Sequence, residues 1–237
     1  MTVVQYSSGN RLLDALPVSD LASLERDLTI VTLKAHQSTH SAGRVMSHVD
    51  FPIDAVLSVV ATLKNGETVE VGTVGSESFV ESDAALESSV ASRTAFCQVQ
   101  GSVGRMSLAS FEQRMTTSVM FARFMRHNVR AVLFSSQQFT VCNLKHSVLQ
   151  RCARWLAMTA DRVGRPQFTL TLEFLAIMLG VPSAKVAEAA DALQLMGAIE
   201  YLKGAVTIVD RGSLERVACE CYEASKAAFS ESLLLSA

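Results

Sequence analysis

Between Thr29 and Leu108 the polar and apolar positions alternate over short stretches, the pattern of half-buried strands. Thr29–Leu33 and Val56–Lys64 are rich in β-branched residues, and Glu67–Val74 sets Val69, Val71 and Thr73 on one face with Glu70 on the other. Asn65-Gly66 stands between the last two runs. Both residues tolerate positive φ, so the pattern predicts a hairpin there. Glycines at 43, 66, 72, 75, 101 and 104 punctuate this half at turn-like intervals. So many short strands predict a compact antiparallel sandwich or roll.

From Ser110 the period lengthens to about 3.6 residues. Ser110 with Gln113 has the form of a capping box, and a helix of roughly 25 residues can run from there towards Val141 without meeting Pro or Gly. Phe121, Met125, Asn128, Val132, Ser135, Phe139 and Cys142 fall at alternating steps of four and three, the heptad spacing. Such a stripe can lie on the sheet of its own domain. Its length exceeds what one small sheet needs to cover, however, so it is read as a subunit-pairing seam in which Asn128 sets register at a cost in stability.

After Asn143 the elements shorten. His146–Ala160 carries Val148, Cys152, Trp155, Leu156 and Thr159 on one side. Thr171–Leu179 is closed by Gly180 and Ala184–Met196 by Gly197, and short strands Ala198–Leu202 and Ala205–Val209 flank Lys203-Gly204. Two helices joined by Gly180-Val181-Pro182-Ser183 and followed by a small hairpin make a winged helix-turn-helix pattern.

Composition narrows the class. Of 237 residues, 49% are hydrophobic and 19% charged, which excludes a disordered chain, and a net charge of −2 excludes a polybasic binder. Ala55–Leu63 and Phe174–Val181, the longest apolar runs, are too short to cross a bilayer, so no membrane partner is expected. The opening MTVVQYSSGN has neither a basic start nor an apolar core, and the five cysteines (97, 142, 152, 219, 221) do not look like a disulfide framework. A soluble cytoplasmic protein is expected.

Certain stretches, in this order and spacing, resemble the Crp/Fnr family of bacterial transcription regulators. They are Asn10-Arg11-Leu12-Leu13-Asp14-Ala15-Leu16-Pro17, Phe51-Pro52-Ile53-Asp54, Asn65-Gly66, Cys142-Asn143-Leu144-Lys145-His146, Arg151-Cys152-Ala153-Arg154-Trp155-Leu156 and Asp161-Arg162-Val163-Gly164. The most specific are Phe168-Thr169-Leu170-Thr171 and Phe174-Leu175-Ala176-Ile177-Met178-Leu179-Gly180-Val181, and Cys219-Glu220-Cys221-Tyr222 resembles a tail of one proteobacterial branch. The resemblance spans roughly Asn10 to Tyr222 and implies an α+β protein in three parts. These are an N-terminal antiparallel β-roll like that of cyclic-nucleotide-binding domains (residues 1–112), a long dimerisation helix (113–142) and a C-terminal winged helix-turn-helix with a final helix (143–237). The partners it implies are double-stranded DNA and a second copy of the chain, with RNA polymerase and a small-molecule effector as further candidates.

In a helix-turn-helix the second helix lies in the major groove. Here Val186, Ala190, Leu193 and Gly197 are spaced to face the core, leaving Ser183, Ala184, Ala187, Glu188 and Asp191 outward with Lys185 at the border. The family usually places arginine at the first turn; this chain has Pro182, Ser183 and Ala184. Glu188 can accept from a cytosine amino group, while Asp191 opposes phosphate. The remaining candidate DNA contacts are Thr169 and Thr171 at a helix N-terminus, Lys203 on the wing, and Lys145, His146 and Arg151 ahead of the motif. Over residues 144–212, Lys and Arg outnumber Asp and Glu by eight to six, a modest attraction that a dimer would double.

Cyclic-nucleotide binders of the family cradle the phosphate with a Gly-Glu turn followed by an Arg-Ser or Arg-Thr pair. Ser92-Arg93-Thr94-Ala95 resembles the second half, making Arg93 and Thr94 the candidate effector contacts. The first half reads Phe79-Val80-Glu81-Ser82-Asp83 instead, and Glu77, Glu81, Asp83 and Glu87 make the spot acidic, so cyclic AMP is not expected. An unknown ligand, or control by expression level alone, fits better. No cysteine precedes Cys97, which disfavours an iron–sulfur cluster. Cys219-x-Cys221 is shorter than the usual zinc spacing and reads as buried small residues, while His36, His40 and His48 read as isolated histidines, so no metal or other cofactor is expected. No nucleophile elbow, Walker loop, dinucleotide fingerprint or paired-cysteine motif is present, and no enzyme is expected.

Overall fold

Asn10 shows how the first element is placed. Its Oδ1 caps the helix α1 (Arg11–Asp14) by accepting from the amides of Leu12 and Leu13, both at 3.1 Å. Its Nδ2 donates to the carbonyls of Pro52 and Ser78 at 2.8 and 3.0 Å. One buried side chain thus joins three segments distant in sequence. The structure is a computed structural model describing residues 7–234. Residues 1–6, the start of the stretch read above for a leader, and residues 235–237 lie outside the described residues.

The described residues divide into two units. The first takes residues up to 59, then 73–133 and those from 228. After α1 come α2 (Val18–Leu24), β1 (Leu28–Leu33), β2 (Ser38–His40), β3 (His48–Pro52), β4 (Val56–Thr62), β5 (Thr68–Val74), α3 (Ser82–Ala85), β6 (Thr94–Val99), β7 (Gly101–Ser107), α4 (Leu108–Thr117) and the start of α5 (Val119–Lys145). Two antiparallel sheets form the roll, with strand orders β1-β7-β3 and β2-β6-β4-β5. Leu28 faces Met106 in one ladder and Val49 faces the same Met106 in the other. The core is aromatic: Phe51, Phe79, Phe111 and Phe121 follow one another at centroid distances of 5.7, 5.7 and 5.5 Å. Gly101 admits no side chain, because a Cβ there would lie 2.5 Å from the Ala55 amide.

The second unit takes residues 134–227 with the hairpin tip 60–72. It holds the end of α5, then α6 (Val148–Val163), β8 (Gln167–Thr169), α7 (Leu172–Leu179), α8 (Ser183–Leu195), β9 (Ile199–Leu202), β10 (Ala205–Ile208), α9 (Arg211–Val217) and most of α10 (Cys221–Leu233). Ser147 and Gln150 form a complete capping box on α6. Thr171 caps α7 by accepting from the Phe174 amide at 3.1 Å, and Gly180 ends it in the left-handed region at φ 62°. Lys203 and Gly204, at φ 49° and 77°, make the two-residue turn between β9 and β10. A third strand, β8, pairs with β10 and is too short to show in the sequence pattern. Within this unit the hairpin tip is held by Trp155, whose Nε1 donates to Glu70 at 2.8 Å.

Two expectations are corrected. The helix expected from Ser110 is two helices, α4 and α5. Ser107, not Ser110, caps the first, accepting from the Ser110 amide at 3.1 Å. The chain breaks at Ser118, which has extended φ and ψ, caps the next helix through the Phe121 amide and donates to Asp20 at 2.6 Å. A serine competing for backbone groups interrupts the helix without any Pro or Gly. The heptad stripe, in turn, is not an exposed seam. Phe121, Met125, Asn128, Ser135, Phe139 and Cys142 are all buried within the single chain. Asn128 accepts from Ser78 at 2.6 Å and donates to the Glu77 carbonyl at 2.9 Å, so it fixes α5 against its own roll. The periodicity is that of a helix covered by its own chain, at Asn128 within the first unit and at Ser135 and Cys142 within the second.

Candidate nucleic-acid interface

The second helix of the motif, α8, buries Val186, Ala189, Ala190 and Leu193 and exposes Ser183, Ala184, Lys185, Glu188 and Asp191. This outward face follows the spacing in part: Ala187, assigned outward, is half-buried, and Gly197, assigned to the core side, is exposed. Lys185 is tied to Glu188 at 2.9 Å, an exposed pair on that outward face. Thr169 and Lys203 are exposed on β8 and at the wing turn, and Thr171 is exposed but already engaged as a cap.

The surrounding cations are fewer than their number in the sequence suggests. Arg151, Arg154 and Arg162 are buried, and Arg151 donates to the Leu179 carbonyl, which removes it as a phosphate contact. Arg211 pairs with Asp161 and Glu215, both at 2.7 Å. His146 faces a cysteine cluster instead of an exposed DNA surface. Lys145, Arg165 and Lys203 remain exposed. Arg165, which follows the αL cap of α6 and precedes β8, was missed because nothing in its local sequence marks it. Within the same unit, an open groove of about 750 Å³ runs between the hairpin tip Gly66–Val69 and the turn Gly180–Ser183.

In the roll, the spot read as a degraded phosphate cassette contains its own anion. Asp83 accepts from the Ser92 amide at 2.8 Å, so a carboxylate of the chain takes a backbone donor beside Arg93. Arg93 is exposed and donates to the Ser92 carbonyl, while the Thr94 hydroxyl accepts from the Ala42 amide at 3.2 Å. His40 and His48 are not isolated, contrary to expectation. His40 on β2 and His48 on β3, strands of different sheets, stand 4.5 Å apart between ring centroids, with Glu81 from the loop before α3 lying 3.1 Å from His40 Nδ1.

The protonation of this cluster follows from its hydrogen bonds. His40 Nε2 lies 3.0 Å from the His48 carbonyl and must donate to it, which in the neutral ring that burial favours leaves Nδ1 as an acceptor. Only a protonated Glu81 can donate to that nitrogen. Burial first, then Asp83 and Asp50, push Glu81 up to about 8, and burial with the charge of His48 brings His40 down to about 4. Glu81 therefore contributes stability that is complete below pH 4.5 and lost as pH rises through 8. His40 contributes with the opposite slope, present above pH 6.5 and lost as pH falls through 4. Between 6.5 and 8 the Glu81 contribution is no longer opposed by His40 and is worth at most about 2 kcal/mol. Glu81→Gln, whose amide can also donate to His40, is expected to flatten the thermal stability profile across that window. An unchanged slope would show that Glu81 is ionised.

The expectation that the C-terminal cysteines are separate buried residues is also corrected. Cys142 Sγ lies 3.4 Å from Cys219 Sγ, and Cys221 Sγ lies 3.5 Å from His146 Nδ1. All four ligand atoms fall within 4.8 Å of one another. Judging Cys219-x-Cys221 by its own spacing overlooked Cys142 and His146, four residues apart and hence on one helical face. The Cys219 thiol, followed by Arg154 and His146, holds Cys142 down at about 5 against burial, while Cys219 is pushed up.

Comparison with known proteins bears on the whole arrangement. Residues 150–217 match the Crp-like helix-turn-helix domain. A search of curated proteins found no match. Among solved structures, FixK2 from Bradyrhizobium japonicum superposes with a TM-score of 0.64 at 13% identity, covering 81% of this chain and 98% of that one. A CRP-family transcriptional regulator from Thermus thermophilus gives 0.65 at 18% identity, covering 79% and 96%. The c-di-GMP responsive global regulator CLP of Xanthomonas campestris gives 0.60 at 15%, covering 78% and 95%. No described helix is long and apolar enough to cross a membrane. The chain carries a Crp-like helix-turn-helix domain within the fold of the Crp/Fnr transcription regulators.

Proposed function

We propose that this protein is a homodimeric, sequence-specific DNA-binding transcription regulator. The observation that carries the reading is the exposed face of α8, Ser183, Ala184, Lys185 and Glu188, inside the segment matching the Crp-like helix-turn-helix domain. Thr169 and Thr171 would lie along the backbone, and Lys203 on the wing would meet phosphate. Asp83 at the Ser92 amide argues against a cyclic nucleotide phosphate as the effector, so Arg93 and Thr94 remain contacts for a ligand of another kind. RNA polymerase would be the partner of the DNA-bound dimer. A cytoplasmic location follows from this reading.

One observation favours a second reading. The Lys185–Glu188 pair and Asp191 leave α8 with no unpaired cation, as expected of a dimeric interaction module whose helix-turn-helix no longer reads sequence. Genomic footprinting of the tagged protein separates the two: enrichment at a two-fold symmetric sequence supports the regulator, and no preference even at low salt supports the module. Lys203→Ala is expected to weaken binding evenly across sequences and reduce the salt dependence. Glu188→Ala should instead relax preference at one base pair by about 1–3 kcal/mol. If the two variants behave alike, the assignment of wing and reading helix fails.

A further inference from the structure

We propose that Cys142, His146, Cys219 and Cys221 bind a single zinc ion that ties the end of α5 to the start of α10. The ligands come from two short segments, C-x3-H closing one helix and C-x-C opening another. Zinc bonded to sulfur at about 2.3 Å and to imidazole nitrogen at about 2.0 Å sets its ligand atoms roughly 3.5–3.8 Å apart. The cluster is near that geometry already, with 3.4 Å between Cys142 and Cys219 and 3.5 Å between Cys221 and His146. Three sulfurs and one imidazole are a donor set suited to zinc.

Two further features fit an ion. Nδ1 of His146 points at sulfur, while its Nε2 lies 3.2 Å from the Glu220 carboxylate. A carboxylate on the far nitrogen fixes the tautomer that leaves Nδ1 free to bind metal. Close to the sulfurs, Arg151 and Arg154 are buried, and no carboxylate pairs with either among the described residues. Three thiolates and a dication carry one net negative charge, which these nearby guanidinium groups stabilise. The cysteines are buried, so the site has the closed form of a structural centre.

The ligands also bracket the DNA-reading module. Cys142 and Cys219 are separated by 77 positions and enclose residues 150–217, the whole helix-turn-helix match. An ion here closes that segment into a loop and stabilises it as a cross-link does. The inference stands whether or not the module reads DNA.

The test is metal analysis of full-length protein purified under reducing conditions, with cobalt substitution as a second readout. One zinc per chain is expected. Cobalt should give thiolate-to-metal charge-transfer and tetrahedral ligand-field bands, and a strong chelator should lower the melting temperature. Cys142→Ser and Cys219→Ser should each lose the metal, and Cys97→Ser should keep it. Glu220→Gln, an exposed change that leaves the ligands in place, should weaken zinc affinity about tenfold to a hundredfold. Reduced wild-type protein without stoichiometric zinc and without thiolate–cobalt bands overturns the proposal, as does iron with sulfide, or a Cys142–Cys219 disulfide as the resting state.

Discussion

A chain carrying Phe134→Glu and Val141→Glu is expected to fold, to run as a monomer in sedimentation, and to lose affinity for its operator by roughly a hundredfold to ten-thousandfold, the advantage that linked half-sites confer. The expected heptad stripe of α5 is used up inside the chain, so a partner helix must meet another face. Phe134, Val141 and Leu144 supply one: they are 41%, 49% and 76% exposed and follow at steps of seven and three. Because these side chains already face solvent in the single chain, carboxylates there leave the monomer intact. At a dimer seam the same carboxylates are buried without partners, which costs several kcal/mol. A persistent dimer in the double variant would show that subunits pair through another surface.

Legibility in the sequence followed how local each determinant is. The helix-turn-helix could be read because its punctuation acts within a few residues: Thr171 caps α7, Gly180 ends it, and Lys203-Gly204 turn the wing. Most of the outward face of α8 followed from helical spacing. What failed depended on partners far along the chain. Heptad spacing on α5 says that a face is buried, not against what, and only Ser78 and Ser225 reveal that the cover is the chain itself. Ser118 carries no helix-breaking identity and acts through Asp20, 98 positions away. The cysteine–histidine cluster is assembled from Cys142 and Cys219 across 77 positions. Similarly, the basic balance of the module dissolved once Arg151, Arg154 and Arg162 proved to be buried.

Asp50 has no motif around it, yet the largest loss of stability is expected from breaking its pair with Arg105. The carboxylate is 0% exposed and accepts twice from one guanidinium, at 2.7 and 2.8 Å, across the β3–β7 ladder. Despite burial, the Arg105 hydrogen bonds hold Asp50 below the usual carboxylate range, with His48 assisting. Its stabilisation is therefore present above pH 3.8 and lost as pH falls through the depressed value. Removing either partner of such a pair costs about 3–5 kcal/mol, but the two losses should differ. Asp50→Asn leaves an arginine whose side chain is 27% exposed and able to reach water. Arg105→Met leaves a carboxylate that cannot, so it is expected to be the more damaging change in urea or thermal unfolding. Its pH dependence should also differ: the stranded Asp50 takes up a proton more readily, so the Arg105→Met protein gains more stability from pH 7 towards pH 5 than the parent does. The double variant should be less destabilised than the sum of the single changes. Equal losses for the two single variants, or no gain in acid beyond that of the parent, would mean that water reaches Asp50 and that β3 and β7 are held by their ladder alone.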